Sequence, residues 1–484
     1  VSNPIEGWYP DPEGTPRLRW WDGTGWTDDY RTEASYDAPS PNVSRFAPTI
    51  DPVTGTTSHP ITGVIDPFTG SVARPVTSTG RFAPTIDPVT GTASHPITAS
   101  VDPITGRVLR PGEEADAAAV PANLGGVGRY VDDLVPELEA QGVELTMAVQ
   151  ERDAEHFATR LPSARIIPIS PRFESRPMRF AWEQTGLPSL IRKVRPDVLH
   201  SPHYTCPQFP GVPVVITLHD ATFFSHPQAH SRMKQKFFTF AIRRAIRRAS
   251  ALVVPSEATR DETIKYAGGQ ASQFYVAYHG VDRTIFHPVD DDERARVKKS
   301  LGLEGQEYIG FLGTLEPRKN VPNLVRGWTK AVADMPNPPA LVLAGGKGWD
   351  EDIDPALASV PSHLTVLRPG YLPLEDLPGF LSGCVVLAYP SIAEGFGLPV
   401  LEAMSCGAAT LTTRLTSLPE VGGDAVAYCD ITPDSIAEAL TDLMNDPARR
   451  AQLGQAAIAR SEEFTWERAA LVHAQAFRAA AGRG

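Results

Sequence analysis

Two carboxylates and two cations are the side chains here whose spacing suits chemistry. Glu394 precedes the loop Gly395-Phe396-Gly397, and Glu402 follows it within LPVLEAMSCG, with seven residues between the two acids. Pro399 suits a first helical position and Gly407 a helix stop, so Glu402 rides on a rigid element while Glu394 stays on the loop. The loop glycines admit a ligand close to the backbone, and the helix start leaves N–H groups aimed at it. Arg318 and Lys319, in EPRKN, follow the apolar run YIGFLGTL. Two cations past a strand end can neutralise a departing diphosphate, and on an exposed loop either is replaceable without harm to the fold. His219 ends another apolar run, VPVVITLHD, with Asp220 placed to orient its ring. Gly125 and Gly126 open GGVGRYVDDLVPELEAQG, a glycine loop feeding an amphipathic helix.

Glu394, the Arg318–Lys319 pair and His219 each follow an apolar run, which places them where a buried parallel strand ends. From residue 116 to about 480 such runs alternate with helical patterns. The expected class is therefore α/β, with ligands at the carboxyl ends of the strands. The 484 residues are enough for two or three domains, and 42% apolar with 21% charged residues is the balance of a globular protein. A net charge of −12 argues against nucleic acid as the main partner. The cysteines, Cys206, Cys384, Cys406 and Cys429, are scattered, with no disulfide framework or metal spacing. No signal peptide is visible and no apolar run reaches the length of a membrane span, so a reducing cytoplasm is the expected setting.

The string E-GFGLPVL-E resembles the donor-sugar signature of retaining glycosyltransferases of family 4, which have the GT-B fold of two Rossmann-like domains facing a cleft. The resemblance implies that Glu394 and the loop Gly395, Phe396, Gly397 and Leu398 touch the donor sugar, and that Glu402 binds the ribose hydroxyls. It further implies that His219 contacts the sugar near the reaction centre, that Arg318 and Lys319 face the diphosphate, and that Gly125 and Gly126 line the phosphate side. Many relatives carry an Arg where Thr314 stands, which leaves more of the charge to Arg318 and Lys319. GGVGRY, His-Asp, GTLEPRKN and EGFGLPVLEAM together are most similar to the mannosyltransferase branch. GDP-mannose is the first expected donor and UDP-glucose the second, with no metal or other cofactor and a glycan or lipid-linked acceptor. A rival reading is a catalytically weak GT-B scaffold displayed on a repeat arm.

The implied organisation is a Trp-rich β module (1–36), a repeat spacer (37–112), an N-terminal acceptor domain (113–286) rejoined by the last helix (465–484), and a nucleotide-sugar domain (287–464). The module holds four of the eight tryptophans between Asp-Pro and Asp-Gly turn signals, and resembles a short Trp-rich domain of unknown function. In the spacer RFAPTIDPVTGT recurs word for word, and a D-P-x-T-G turn motif occurs at 51–55, 66–70, 87–91 and 102–106. It reads either as a β-array of hairpins or, preferably, as a partly ordered spacer. Residues 221–256 lack any acid while holding Arg243, Arg244, Arg247 and Arg248 beside an apolar stripe. That basic amphipathic helix, 231–250, is either a solvated face or a peripheral contact with anionic membrane at the inner face.

One element is missing. A Rossmann-like domain needs a buried first strand before its glycine loop, yet residues 110–115 read RPGEEA, which cannot be a central strand: Pro lacks the donor and the two Glu would be buried unpaired. Either 107–109 or 115–120 supplies a short substitute, or the sheet lacks a central member.

Overall fold

The computed structural model describes residues 126–482, with breaks at 174 and 226–231, and upstream the backbone of nine short strands. Val1–Pro96 and Ile97–Gly484 are separate compact units.

In the first unit Gly7–Pro10, Arg17–Trp21 and Trp26–Thr32 form an antiparallel sheet, with Trp8 opposite Trp20 and Trp21 opposite Trp26. Further along the chain, three of the four D-P-x-T-G motifs sit between short antiparallel strands: Val64–Ile65 with Val72–Ala73, Thr85–Ile86 with Ala93–Ser94, and Ser100–Asp102 with Arg107–Leu109. The β-branched residues flanking the motifs favour extended pairing. The described residues of the repeat thus hold three short antiparallel strand pairs. The motif at 51–55 lies outside the described residues.

The second unit holds two Rossmann-like domains. The C-terminal one has a six-stranded all-parallel sheet ordered Val366–Gly370, Ala340–Ala344, Tyr308–Leu312, Val386–Tyr389, Thr410–Thr413, Ala427–Cys429. Its central strands are apolar at every position and fully buried, as helices on both faces require. Counted within that domain the order is 3-2-1-4-5-6, the doubly wound arrangement, whose switch point lies between Tyr308–Leu312 and Val386–Tyr389. The loops after those two strands carry Arg318, Lys319 and Glu394.

The N-terminal domain is built on the same plan, and its described strands fall into two sheets. Thr146–Gln150 pairs with Arg165–Ile169, and Leu199–Ser201, Val214–Thr217, Ala251–Val254 and Phe274–Val276 form a parallel quartet. No described strand joins the pair to the quartet. Arg107–Leu109 does not fill the place: it pairs antiparallel with Ser100–Asp102. The stretch 115–120 lies outside the described residues. The helix that would follow the first strand, Gly126–Ala140, is nonetheless packed, with Tyr130, Leu134 and Leu138 buried.

The last helix, Trp466–Ala480, crosses back onto this domain. Its Trp466, Ala469, Ala470, Ala476 and Phe477 share one core with Tyr130, Leu134, Val215 and Val253. All four cysteines are buried free thiols. Among the described residues no helix is long and apolar enough to cross a membrane.

Candidate active site

Three strand-end loops of the C-terminal domain meet around Glu394. The main chain of the first, at Arg318, accepts hydrogen bonds from Ile392 N (2.7 Å) and Ser391 Oγ (2.9 Å) of the second. The third loop contributes Thr416 Oγ1, which accepts from Glu394 N at 2.9 Å, and Ser417 Oγ, which donates to the carbonyls of Glu394 and Phe396 at 3.0 and 2.8 Å. These bonds fix the loop backbone where propensity alone would leave it free.

The Glu394 carboxylate accepts from Arg318 Nη1 at 2.6 Å, Lys319 Nζ at 2.7 Å, Ser391 Oγ at 2.6 Å and Tyr389 Oη at 3.0 Å. Burial by itself would push this carboxyl up. Arg318, then Lys319, together with the hydrogen bonds from Lys319 and Ser391, overcome burial and hold it at about 2. Glu394 is therefore an anion with both oxygens directed. Burial first, and then Arg318, push Lys319 below its ordinary value. Lys319 is only 5% exposed, also bonds Tyr389 Oη and lies over the Tyr389 ring. This corrects the expectation of an exposed, structurally idle cation: the short loop turns Lys319 inward because Glu394 is there to receive it.

The glycine loop leads into the helix Leu398–Ser405. Gly397 has φ +109°, a conformation that favours glycine, and starts the helix. Phe396 is buried with its ring 5.1 Å from His279, so its side chain serves the domain boundary while its backbone belongs to the loop. Leu398, half-buried, packs against the domain core. Glu402, 3% exposed, forms an ion pair with Arg129 of the opposite domain. Gly126 begins the Arg129 helix; Gly125 lies outside the described residues.

His219 comes from the other side of the cleft. Its Nε2 stands 2.7 Å from the Pro202 carbonyl and so carries the hydrogen, leaving the Nδ1 lone pair as acceptor. Asp220 does not orient it: that carboxylate accepts from Thr222 N (3.0 Å) and Oγ1 (2.8 Å), capping the next turn. Burial lowers His219 to about 4, so the ring is neutral at neutral pH.

Sequence reasoning passed over three features of this region. The first is Arg129. The second is Glu420, whose carboxylate accepts from the Glu257 and Ala258 amides at 2.8 Å each and so caps a helix of the other domain. The third is His473, a lone His in the apolar helix WERAALVHAQAF. Its Nε2 lies 2.7 Å from Tyr130 Oη, which lies 2.8 Å from Thr217 Oγ1, and that in turn 3.0 Å from His200 Nε2. The one signal for His473 was a polar residue on the buried face of an otherwise apolar helix.

Comparison with known proteins agrees with this geometry. Residues 124–284 match the family described as Glycosyltransferase Family 4, and residues 293–460 match Glycosyl transferases group 1. Residues 7–42 match a family described as a protein of unknown function, DUF2510. The chain is 29% identical to the O-antigen chain mannosyltransferase B of Escherichia coli, over 60% of this chain and 74% of that protein. It is 30% identical to the serotype-specific mannosyltransferase WbdA of Escherichia coli over 48% of this chain, but this spans only 29% of WbdA. Among solved structures, Anabaena HepE in complex with UDP and glucose is similar with a TM-score of 0.56 at 17% identity, covering 72% of this chain and 94% of that one. With a Family 4 domain and a group 1 domain in succession on a GT-B fold, the chain belongs to the glycosyltransferases and is a transferase of glycosyl groups.

Proposed function

We propose that the protein moves a hexose, with retention of configuration, from a nucleotide sugar to a glycan or lipid-linked acceptor. GDP-mannose is the first donor and UDP-glucose the second. The observation that supports this best is the Glu394 cluster, an ionised carboxylate clamped by Arg318 and Lys319 at the switch point of the sheet. Glu394 receives sugar hydroxyls. Arg318 and Lys319 offer positive charge where the diphosphate departs, an electrostatic task that asks for no metal. Neutral His219 accepts from the sugar through Nδ1, and Glu402 reads the ribose. The similarity to the two mannosyltransferases favours GDP-mannose over the UDP sugar.

A binding screen against GDP-mannose, UDP-glucose and ADP-glucose tests the donor, followed by release of nucleoside diphosphate in the presence of glycan acceptors. Binding without any turnover would favour the second reading, a weak GT-B scaffold, for which the supporting observation is that the described strands of the N-terminal domain form two separate sheets.

The basic helix Arg232–Arg248 buries Phe238, Ile242, Ala245 and Ile246 and exposes Lys236, Phe237, Phe240, Arg243, Arg247 and Arg248. Phe180 of the neighbouring helix stands 5.9 Å from Phe237. Cations around exposed aromatic rings suit an anionic lipid surface, which would bring the acceptor domain to a lipid-linked substrate. Cosedimentation with vesicles containing phosphatidylglycerol, but not with pure phosphatidylcholine vesicles, is the expected result.

A further inference from the structure

Glu402 is where the proposed function places the ribose, yet a side chain of the opposite domain already sits on it. Arg129 Nη1 of the helix Gly126–Ala140 bonds Glu402 Oε1, and the side chains of the pair are 21% and 4% exposed. A carboxylate buried to that degree without a partner would cost several kcal/mol, so a cation has to stand there when no ligand does. Ribose hydroxyls donate to the same oxygens. They and the guanidinium compete for one acceptor.

We infer that Arg129 is a ligand-displaced latch: it neutralises Glu402 and ties the two domains together in the empty enzyme, and the nucleotide ribose must expel it to bind. This rests on the reading of Glu402 as the ribose carboxylate.

Arg129 has somewhere to go. Asp133 lies one turn further along the same helix, at the i,i+4 spacing that favours an ion pair, and Asp282 at the domain boundary acts on Asp133 as well. Burial, then repulsion from Asp132, pushes Asp133 up to about 7 against the pull of Arg160 and Arg129, so this carboxyl gains from a closer cation. The guanidinium is also incompletely engaged, since Arg129 Nε is buried without a hydrogen-bond partner. Its outer face lies over the Phe286 ring at 5.5 Å. A side chain with one strong bond and donor capacity to spare suits exchange between two anions. The other contacts that bridge the domains are of a different kind. Ser256 Oγ and Thr259 Oγ1 donate to the main-chain carbonyl of Gly395 at 2.7 and 3.0 Å, and Glu420 caps backbone amides, so neither contact occupies the side chain of a residue proposed to bind the donor.

The test is titration calorimetry of GDP and UDP into wild type, Arg129→Met, Glu402→Ala and the double variant. With the latch removed, Arg129→Met is expected to bind the preferred nucleotide about fivefold more tightly, as the loss of one competing ion pair implies. Glu402→Ala is expected to bind more weakly, and the double variant to equal Glu402→Ala with no gain from the second change. Weaker or unchanged binding by Arg129→Met, beside a weakened Glu402→Ala, overturns the latch while leaving the ribose reading in place. Unchanged binding by Glu402→Ala removes the ribose reading and the latch with it. Should Arg129→Met fail to fold, Glu402→Gln keeps the shape of the acid and releases the arginine. The empty Glu402→Gln protein is then expected to show a larger radius of gyration by X-ray scattering than the empty wild type, and an equal radius overturns the latch.

Discussion

Gly395 lies so close to the backbone of His219 that a Cβ on it would stand 1.8 Å from the His219 carbonyl oxygen and 3.0 Å from Asp220 Cβ. The glycine that opens this loop is therefore also one of the points where the two domains touch. Gly395→Ala should hold the cleft open: turnover falls by about two orders of ten or more, while melting of the protein and binding of free nucleotide change little. Steady-state kinetics beside calorimetry checks this, and a variant with near-normal turnover would show that closure is not needed.

Lys319→Ala is expected to damage both chemistry and fold. It strips one of two cations from a buried carboxylate, a change worth about 3 kcal/mol of stability, and it removes charge from the site where the proposed reaction releases a diphosphate. Urea unfolding and turnover measured on the same preparation decide the matter. Unaltered stability would mean that Arg318 alone satisfies Glu394.

Acid should unfold the protein in two stages. His219 and His473 have ordinary values of 6.5 but are lowered to about 4 by burial, so between these values the unfolded chain binds protons that the folded one does not. Stability is then present above pH 6.5 and drains away as pH falls toward 4, by roughly 3 kcal/mol per histidine. Glu394, at about 2 against an ordinary 4.5, adds a further loss below pH 4.5 in the same direction. Melting temperature followed from pH 8 to pH 3 in wild type and His473→Gln tests it. The variant should have a shallower slope between pH 6.5 and 4, and identical slopes would clear His473 of the effect.

Replacing RPGEEA at 110–115 with a run of Val and Ile should supply a strand between Thr146–Gln150 and Leu199–Ser201. A rise in melting temperature of roughly 5 °C or more is expected, together with slower amide exchange in both flanking strands. No change in either would mean that the interrupted sheet is already satisfied by other means.

How far the sequence could be read follows from the range of each interaction. The doubly wound sheet of the C-terminal domain was legible because its strands are uninterrupted apolar runs, and the loop 395–397 because a positive φ at Gly397 and a helix start leave a local trace. The inward turn of Lys319, the Pro202 carbonyl on His219 and the Arg129 bond to Glu402 were not legible. Each joins residues brought together only by packed loops or by two docked domains, and no local pattern encodes them. Asp220 misled for a related reason: adjacency to His219 suggested partnership, whereas its carboxylate is used by the turn that follows.

The helix Trp466–Ala480 has a consequence for how the protein is made. Trp466 packs so tightly on the N-terminal domain that a Cβ at Gly280 would meet its backbone N at 2.2 Å, and His473 is wholly buried against Tyr130. Ribosomes deliver the N-terminal domain first, and domains usually fold in that order. Here the earlier domain should keep part of its apolar core uncovered until the residues from Trp466 onward emerge, and a chaperone engaged during synthesis should find its binding surface on the half that was translated earlier.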